Sequence, residues 1–222
     1  MSAASRSRNR IDGIYNPKPT AVTDLSIILS APDRQLERAW SEQFAGTADV
    51  IVTDCSILDV DCDAVVSPAN SFGFMDGGID AIYSQHFGWD LQLKLRRKIL
   101  DNHHGELLVG SAEIVETGDG RHPYLVAAPT MRVPMRLGKE TINPYLATRA
   151  ALLLAKRVGA IRAIAFPGMG TGVGRVPAEI CARQMRTAYD EVIMGSFRLP
   201  QSWAEATERH QLLYTDRPVR LQ

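Results

Sequence analysis

DAVVSPANSFGFMDGGIDAI, residues 63–82, decides how this chain is read. Residues 63–67 form a short apolar, β-branched run. Pro68, Asn70 and Gly73 then supply turn chemistry, and Gly77-Gly78 opens an amphipathic pattern that continues past Ile82. The stretch reads as strand, polar loop and helix start. The free backbone N–H groups at such a helix start attract anions, and Gly77 and Gly78 let a phosphate approach the main chain closely. Asn70 can donate to and accept from a sugar hydroxyl, and Asp80, just inside the helix, can orient a water or a hydroxyl. Each also has a plainer use: Asn70 as a turn former, Asp80 as a first-turn charge matched to the helix dipole.

The same design recurs further along. Residues 161–166 (IRAIAF) read as a buried strand, followed by the glycine-rich PGMGTGVGRVP, residues 167–177, with Pro177 as first residue of a helix to about Ile193. Working back from the central stretch, residues 48–53 and 24–31 read as buried strands. Between them Leu36, Ala39, Trp40 and Phe44 take helical spacing after Pro32-Asp33.

Working forward, Ile79, Ile82, Tyr83 and Phe87 belong to a helix interrupted at Gly88, and Leu91, Leu95 and Ile99 resume the period up to His103-His104. Adjacent histidines cannot face one way on a helix, so that pair reads as a solvated helix end. Residues 111–117 alternate like a half-exposed strand, and residues 124–129 resemble a buried one. Gly118-Asp119-Gly120 makes the connection between them hairpin-like. Residues 144–158 form a helix stopped at Gly159, and residues 202–214 a final one. Strands alternating with helices imply an α/β fold, a three-layer α/β/α sandwich around a mixed, mostly parallel sheet. In such sheets ligands bind beyond the carboxyl ends of the strands, where both glycine loops fall.

The 222 residues, 45% of them hydrophobic, suffice for one sizeable core. We expect a flexible leader over residues 1–22, a domain over 23–200, and a C-terminal helix and tail over 201–222 packed on it. Twenty-five basic and 25 acidic residues give no net charge, which argues against a dedicated nucleic-acid binder. Cys55, Cys62 and Cys181 lack disulfide or zinc spacing, so no structural metal is expected. No apolar run reaches membrane-spanning length and the first residues lack a signal-peptide core. The chain therefore reads as cytoplasmic. Trp40, Trp89 and Trp203 are expected to pack in the core or between helices.

Two glycine loops at one sheet edge can wrap a diphosphate from both sides with backbone N–H groups and no lysine. Neither ends in the Lys-Ser/Thr of a Walker loop, and Val173 stands where a GxGxxG would need its third glycine, so nucleotide hydrolysis and dinucleotide redox chemistry are disfavoured. Asp54, in Thr53-Asp54-Cys55-Ser56 after the second strand, can accept from an exocyclic amine, or serve as a simple turn cap.

In this order the motifs resemble the macro domain family, which binds ADP-ribose and in many members hydrolyses bonds made to it. The family's Gly-Asp-Ile-Thr is similar to Thr53-Asp54-Cys55-Ser56, and its Asn-Ala-Ala-Asn to Ser67-Pro68-Ala69-Asn70. Its glycine run with Val-Asp falls on residues 75–80, and its Ser-Thr-Gly-Ile-Tyr-Gly-Tyr-Pro on residues 170–177. The resemblance implies that Asp54, beside Cys55, holds adenine. Gly77, Gly78 and Ile79, after Ala69, would line one side of the diphosphate. Gly168, Gly170, Thr171, Gly172, Val173, Gly174 and Arg175 would line the other. Asn70 would hold the distal ribose, and Asp80, ionised at neutral pH, would orient or deprotonate the attacking water as the second catalytic residue. No cofactor or metal is implied, and the partner would be ADP-ribose or an ADP-ribosylated substrate. The chain departs from the family at Ser67, Met75, Asp76, Gly174 and Val176. An Asp76 carboxylate near a diphosphate must point away or meet Arg175. These changes leave open a hydrolase acting on protein-linked ADP-ribose, its O-acetyl ester or its 1″-phosphate, a non-catalytic reader, or a binder of another phosphorylated nucleotide.

Overall fold

A computed structural model describes residues 25–219, and the expected leader lies outside them. Six strands form one sheet: β1 (Ser26–Ser30), β2 (Val50–Thr53), β3 (Ala64–Ser67), β4 (Glu113–Glu116), β5 (Tyr124–Ala127) and β6 (Ala163–Phe166). Their spatial order is β2-β1-β6-β3-β5-β4. All neighbours pair in parallel except β4 with β5, which form the antiparallel hairpin expected around Gly118. The sheet is therefore mixed and mostly parallel.

Among the described residues there are also six helices: α1 (Arg34–Gln43), α2 (Gly78–Phe87), α3 (Asp90–His103), α4 (Asn143–Arg157), α5 (Ala178–Val192) and α6 (Trp203–Leu212). The inner strands β1, β6, β3 and β5 are largely apolar on both faces, so each face must be covered. Ile27, Leu29, Val66, Ile164 and Phe166 pack with α1, α4 and α5 around the fully buried Trp40. The alternate residues Ile28, Val65, Leu125 and Ala165 pack on the other face with Tyr83 of α2 and with Leu91, Leu95 and Ile99 of α3. This is the three-layer sandwich. Asp33 caps α1, its carboxylate accepting from the N–H of Gln35 at 2.8 Å.

The two central strands are joined by a side chain as well as by the ladder. Asp63 donates its own N–H to the carbonyl of Ala163 at 2.9 Å, and one of its carboxylate oxygens accepts from the N–H groups of Arg162 and Ala163 at 2.7 and 2.9 Å. That fixes the register of β3 against β6, with Ala64 opposite Ile164.

Three expectations change. Trp89 and Trp203 are 55% and 89% exposed, because Trp89 occupies the corner between α2 and α3 and Trp203 begins a helix with no buried residue of its own. His103 is not a solvated end residue: its ring meets the Glu113 carboxylate of β4 at 3.1 Å, while His104 takes the left-handed cap. Pro177 is the N-cap of α5, one residue outside the helix. After α6, Leu213 is buried and Asp216 pairs with Arg183 of α5 at 2.5 Å. No helix of the described residues is long and apolar enough to cross a membrane.

The Asp63 clamp is testable. Asp63→Ala strands two backbone N–H groups and should lower the urea-unfolding free energy by about 1–3 kcal/mol, while Asp63→Asn keeps an acceptor oxygen and should cost clearly less.

Candidate functional site

Because β2, β1, β6, β3 and β5 run in parallel, their carboxyl ends share one edge of the sheet. Reading across it gives Asp54 after β2, the 167–177 loop after β6, the 68–77 loop after β3, and the segment to α4 after β5. The two glycine loops leave adjacent strands, as expected.

Asp54 is exposed at the sheet's margin. Its turn is pinned from the neighbouring strand, since Ser30 of β1 donates its hydroxyl to the Cys55 carbonyl at 2.7 Å and Cys55 N–H returns to Thr53 Oγ1 at 3.2 Å. Cys55 is an exposed thiol.

Ala69 is buried and extends the line of β3, its carbonyl accepting from Thr130 N–H at 3.2 Å. Asn70 organises the loop that follows. Its side-chain oxygen accepts from the N–H groups of Phe72 and Phe74 at 3.1 and 3.2 Å, and its amide nitrogen donates to the Phe74 carbonyl at 2.8 Å. Both lone pairs are thereby used, and one amide hydrogen remains for a ligand. Gly73, at φ 68°, is required here: a Cβ would lie 2.8 Å from Ile99 Cδ1 of α3. Met75, at a glycine position of the resemblance, is fully buried and faces the α2–α3 core. Asp76, Gly77 and Gly78 are exposed, and a Cβ on either glycine would meet nothing within 4 Å. The main chain is open to an approaching group at that helix start. Ile79 is half-buried against the same core.

In the second loop Gly168 is enclosed by Thr171 Oγ1 and Leu36, and Gly170 turns the chain at φ 75°. Gly172 and Val173 are exposed. Gly174 admits no side chain, since a Cβ would meet the Gly170 carbonyl, and Val176 is 6% exposed and faces inward. The two aromatic positions of the family's loop are thus filled by a mandatory glycine and a core residue. Arg175 projects to solvent from a left-handed φ of 56°. Among the described residues no ion pair joins it to Asp76, so the repulsion that Asp76 offers an anion is not neutralised there.

Asp80 differs most from expectation. It lies in the first turn of α2 but is 7% exposed, and Ser67 at the end of β3 donates its hydroxyl to Asp80 Oδ1 at 2.5 Å. Burial pushes its carboxyl up to about 7, and the Ser67 hydrogen bond opposes that rise only in part. Asp80 is therefore close to half neutral at pH 7, not fully ionised. Nearby, Tyr83 donates its hydroxyl to the Val66 carbonyl at 3.0 Å and Ser84 to the Met75 carbonyl at 2.8 Å, which holds α2 against the loop.

The strand expected over 124–129 ends at Ala127, and residues 130–142 carry no periodicity in the sequence. This segment docks on the second glycine loop through Leu137 N–H to the Gly174 carbonyl at 2.9 Å. It exposes Val133, Met135, Arg132, Arg136 and Lys139 at the same edge. Arg132 lies 5.0 Å over the Phe72 ring and joins this segment to the first loop, and Arg96 of α3 lies 4.3 Å over Phe74 and holds that loop to the helix. Three cations among prolines in one long connection were the available cue.

A family model described as Macro domain matches residues 66–185. An uncharacterized protein of Aquifex aeolicus is 38% identical over 138 residues, which cover 62% of this chain and 78% of that protein. One of Pyrobaculum aerophilum is 31% identical over 148 residues, covering 66% and 78%. Among solved structures, the macrodomain of Mycobacterium tuberculosis DarG superposes with a TM-score of 0.55 at 18% identity, over 64% of this chain and 90% of that one. A mutant macrodomain of Oceanobacillus iheyensis solved with ADPR gives 0.56 at 16% identity, over 80% and 83%. At such identities the structures speak for the fold.

The raised Asp80 pKa sets a sign for stability. A carboxyl that binds its proton more tightly when folded adds stability that is complete below its unfolded value of 3.8 and is lost as pH rises through about 7. Between pH 5 and pH 8 the wild type should lose on the order of 2 kcal/mol more unfolding free energy than Asp80→Asn, measured by urea denaturation at each pH.

Proposed function

We propose that this chain, which belongs to the macro domain family, binds ADP-ribose along the carboxyl edge of its sheet and hydrolyses a bond to the distal ribose. The supporting observation is the order of groups across that edge. An exposed carboxylate stands at β2, and two strands away, about 10 Å at ordinary interstrand spacing, the two glycine loops leave β6 and β3 side by side. Asn70 and the Ser67–Asp80 pair come at the end of β3. A base, a diphosphate and a second ribose follow one another in the same order and at a comparable span.

The chemistry asked of the protein is modest. Asp54 accepts from the adenine amine, the open N–H groups at Gly77 and Gly78 and in the 170–174 turn hold the diphosphate, and the remaining Asn70 N–H donates to the ribose. A carboxylate with a pKa of about 7 is well matched to taking a proton from water at neutral pH. Arg175, Arg136 and Lys139, exposed at the same edge, supply positive charge for the ligand despite Asp76.

A second reading, a non-catalytic reader of ADP-ribose, draws on the deep burial of Asp80 and on the commitment of Asn70 to its own loop. Two measurements separate the readings. In calorimetric titration ADP-ribose should bind with micromolar affinity, roughly −8 kcal/mol, more tightly than AMP or NAD, and exposed Asp54→Ala should weaken it about tenfold. Preference for AMP or NAD would instead indicate another phosphorylated nucleotide. Turnover should then be tried on ADP-ribosylated protein, ADP-ribose 1″-phosphate and O-acetyl-ADP-ribose. A hydrolase should show a rate rising with pH through about 7, a limb that Asp80→Asn abolishes while binding persists. Binding without turnover of any of the three would leave the reader.

A further inference from the structure

At the opposite edge of the sheet, three side chains from two elements converge. Helix α2 starts at the carboxyl edge and runs back along the sheet, so His86, in its last turn, reaches the amino edge. There the turn between β4 and β5 presents Asp119 and His122. The three offer ligand atoms that all lie within 4.8 Å of one another. Asp119 Oδ1 is 3.4 Å from His122 Nδ1, and its other oxygen, Oδ2, is 3.8 Å from His86 Nε2.

His122 decides how this cluster is read. Its side chain is only 1% exposed, and its Nε2 stands 2.9 Å from the Val60 carbonyl. A carbonyl only accepts, so the ring hydrogen is on Nε2 and Nδ1 carries a bare lone pair. That buried Nδ1 has no hydrogen-bond partner. The neighbouring carboxylate does not relieve it, because Asp119 is itself an acceptor, already holding the N–H groups of Arg121 and His122 at 2.8 and 2.9 Å. Two acceptor atoms thus face each other at 3.4 Å. A metal ion would use both lone pairs and would also account for His86 Nε2 facing the Asp119 carboxylate.

We propose that His86 Nε2, Asp119 and His122 Nδ1 bind one divalent transition-metal ion of the Zn2+ class. Two imidazole nitrogens and one carboxylate suit zinc and its neighbours rather than magnesium or calcium, which prefer oxygen throughout. Tetrahedral coordination with bonds of about 2.1 Å sets donor atoms about 3.4 Å apart, a spacing the Asp119–His122 pair already has. His86, with a side chain 40% exposed, can close the remaining distance by rotation. The Val60 carbonyl acts as the outer partner that fixes the His122 tautomer, as metal-bound histidines ordinarily require. The fourth position faces solvent beside His86. The ion would staple the end of α2 to the β4–β5 turn and, through Val60, to the loop before β3, which Arg121 also ties down by donating to Asp61 Oδ1 at 2.8 Å.

The test is titration of Zn2+ into the full chain after dialysis against EDTA, with calorimetry, thermal unfolding and circular dichroism. One ion should bind per chain with micromolar or tighter affinity, and the unfolding midpoint should rise with zinc. Exposed His86→Ala should keep the native dichroism and bind at least tenfold more weakly, and His210→Ala on α6 should bind as the wild type does. X-ray absorption at the zinc edge should show two imidazoles. Absence of saturable binding, or affinity unmoved by His86→Ala, would overturn the proposal.

Discussion

The structure turns on the parallel pairing of β3 with β6. Neither strand follows the other in sequence, so only tertiary contacts bring them together: the short ladder from Ala64 and Val65 to Ile164 and Ala165, and the Asp63 carboxylate that receives two N–H groups from the start of β6. With these strands adjacent, the two glycine-rich loops must emerge side by side, and the helix starts behind them point at one place. Slipping β6 by a residue would turn Phe166 and Ile164 from the α1–α4–α5 face to the other, so burial of those side chains holds the register.

The candidate site is then a compromise between rigidity and charge. Ser67 and Asp80 tie the end of β3 to the start of α2, and Tyr83 and Ser84 add two further bonds from the same helix, so the first loop is held from below. Asn70 holds it from within. The cost is a carboxyl buried with a single hydrogen bond among the described residues, whose proton is consequently held near neutrality. The same burial that makes the α2 start firm makes Asp80 sensitive to pH, which links stability and chemistry through one group.

Most of this architecture was legible in the sequence because its inner strands are apolar on both faces, its edge hairpin strand alternates and its helices have clear periods, so burial and alternation fix element types and their layers. The glycine loops were legible for the same reason: Gly73, Gly170 and Gly174 occupy positions where a side chain is strained or excluded. What was not legible depends on partners distant in sequence. Nothing about Asp80 itself says that the side chain opposite will be Ser67 and that the carboxyl will be buried. Trp89 and Trp203 look like core residues by type, yet a helix corner and an uncovered helix leave them exposed. The 130–142 segment has no periodicity to notice, and His86 is brought to Asp119 and His122 only by the direction in which α2 runs.

The proposed function requires that one ligand be held by both glycine loops at once. The most direct measurement is a backbone amide NMR titration with ADP-ribose, following Gly77, Gly78, Gly170, Gly172 and Gly174 together with Asp54. Amides of both loops and of the Asp54 turn should shift along one saturation curve, while residues at the amino edge, around Asp119, stay still. Shifts confined to one loop, or two groups of residues saturating separately, would contradict that requirement.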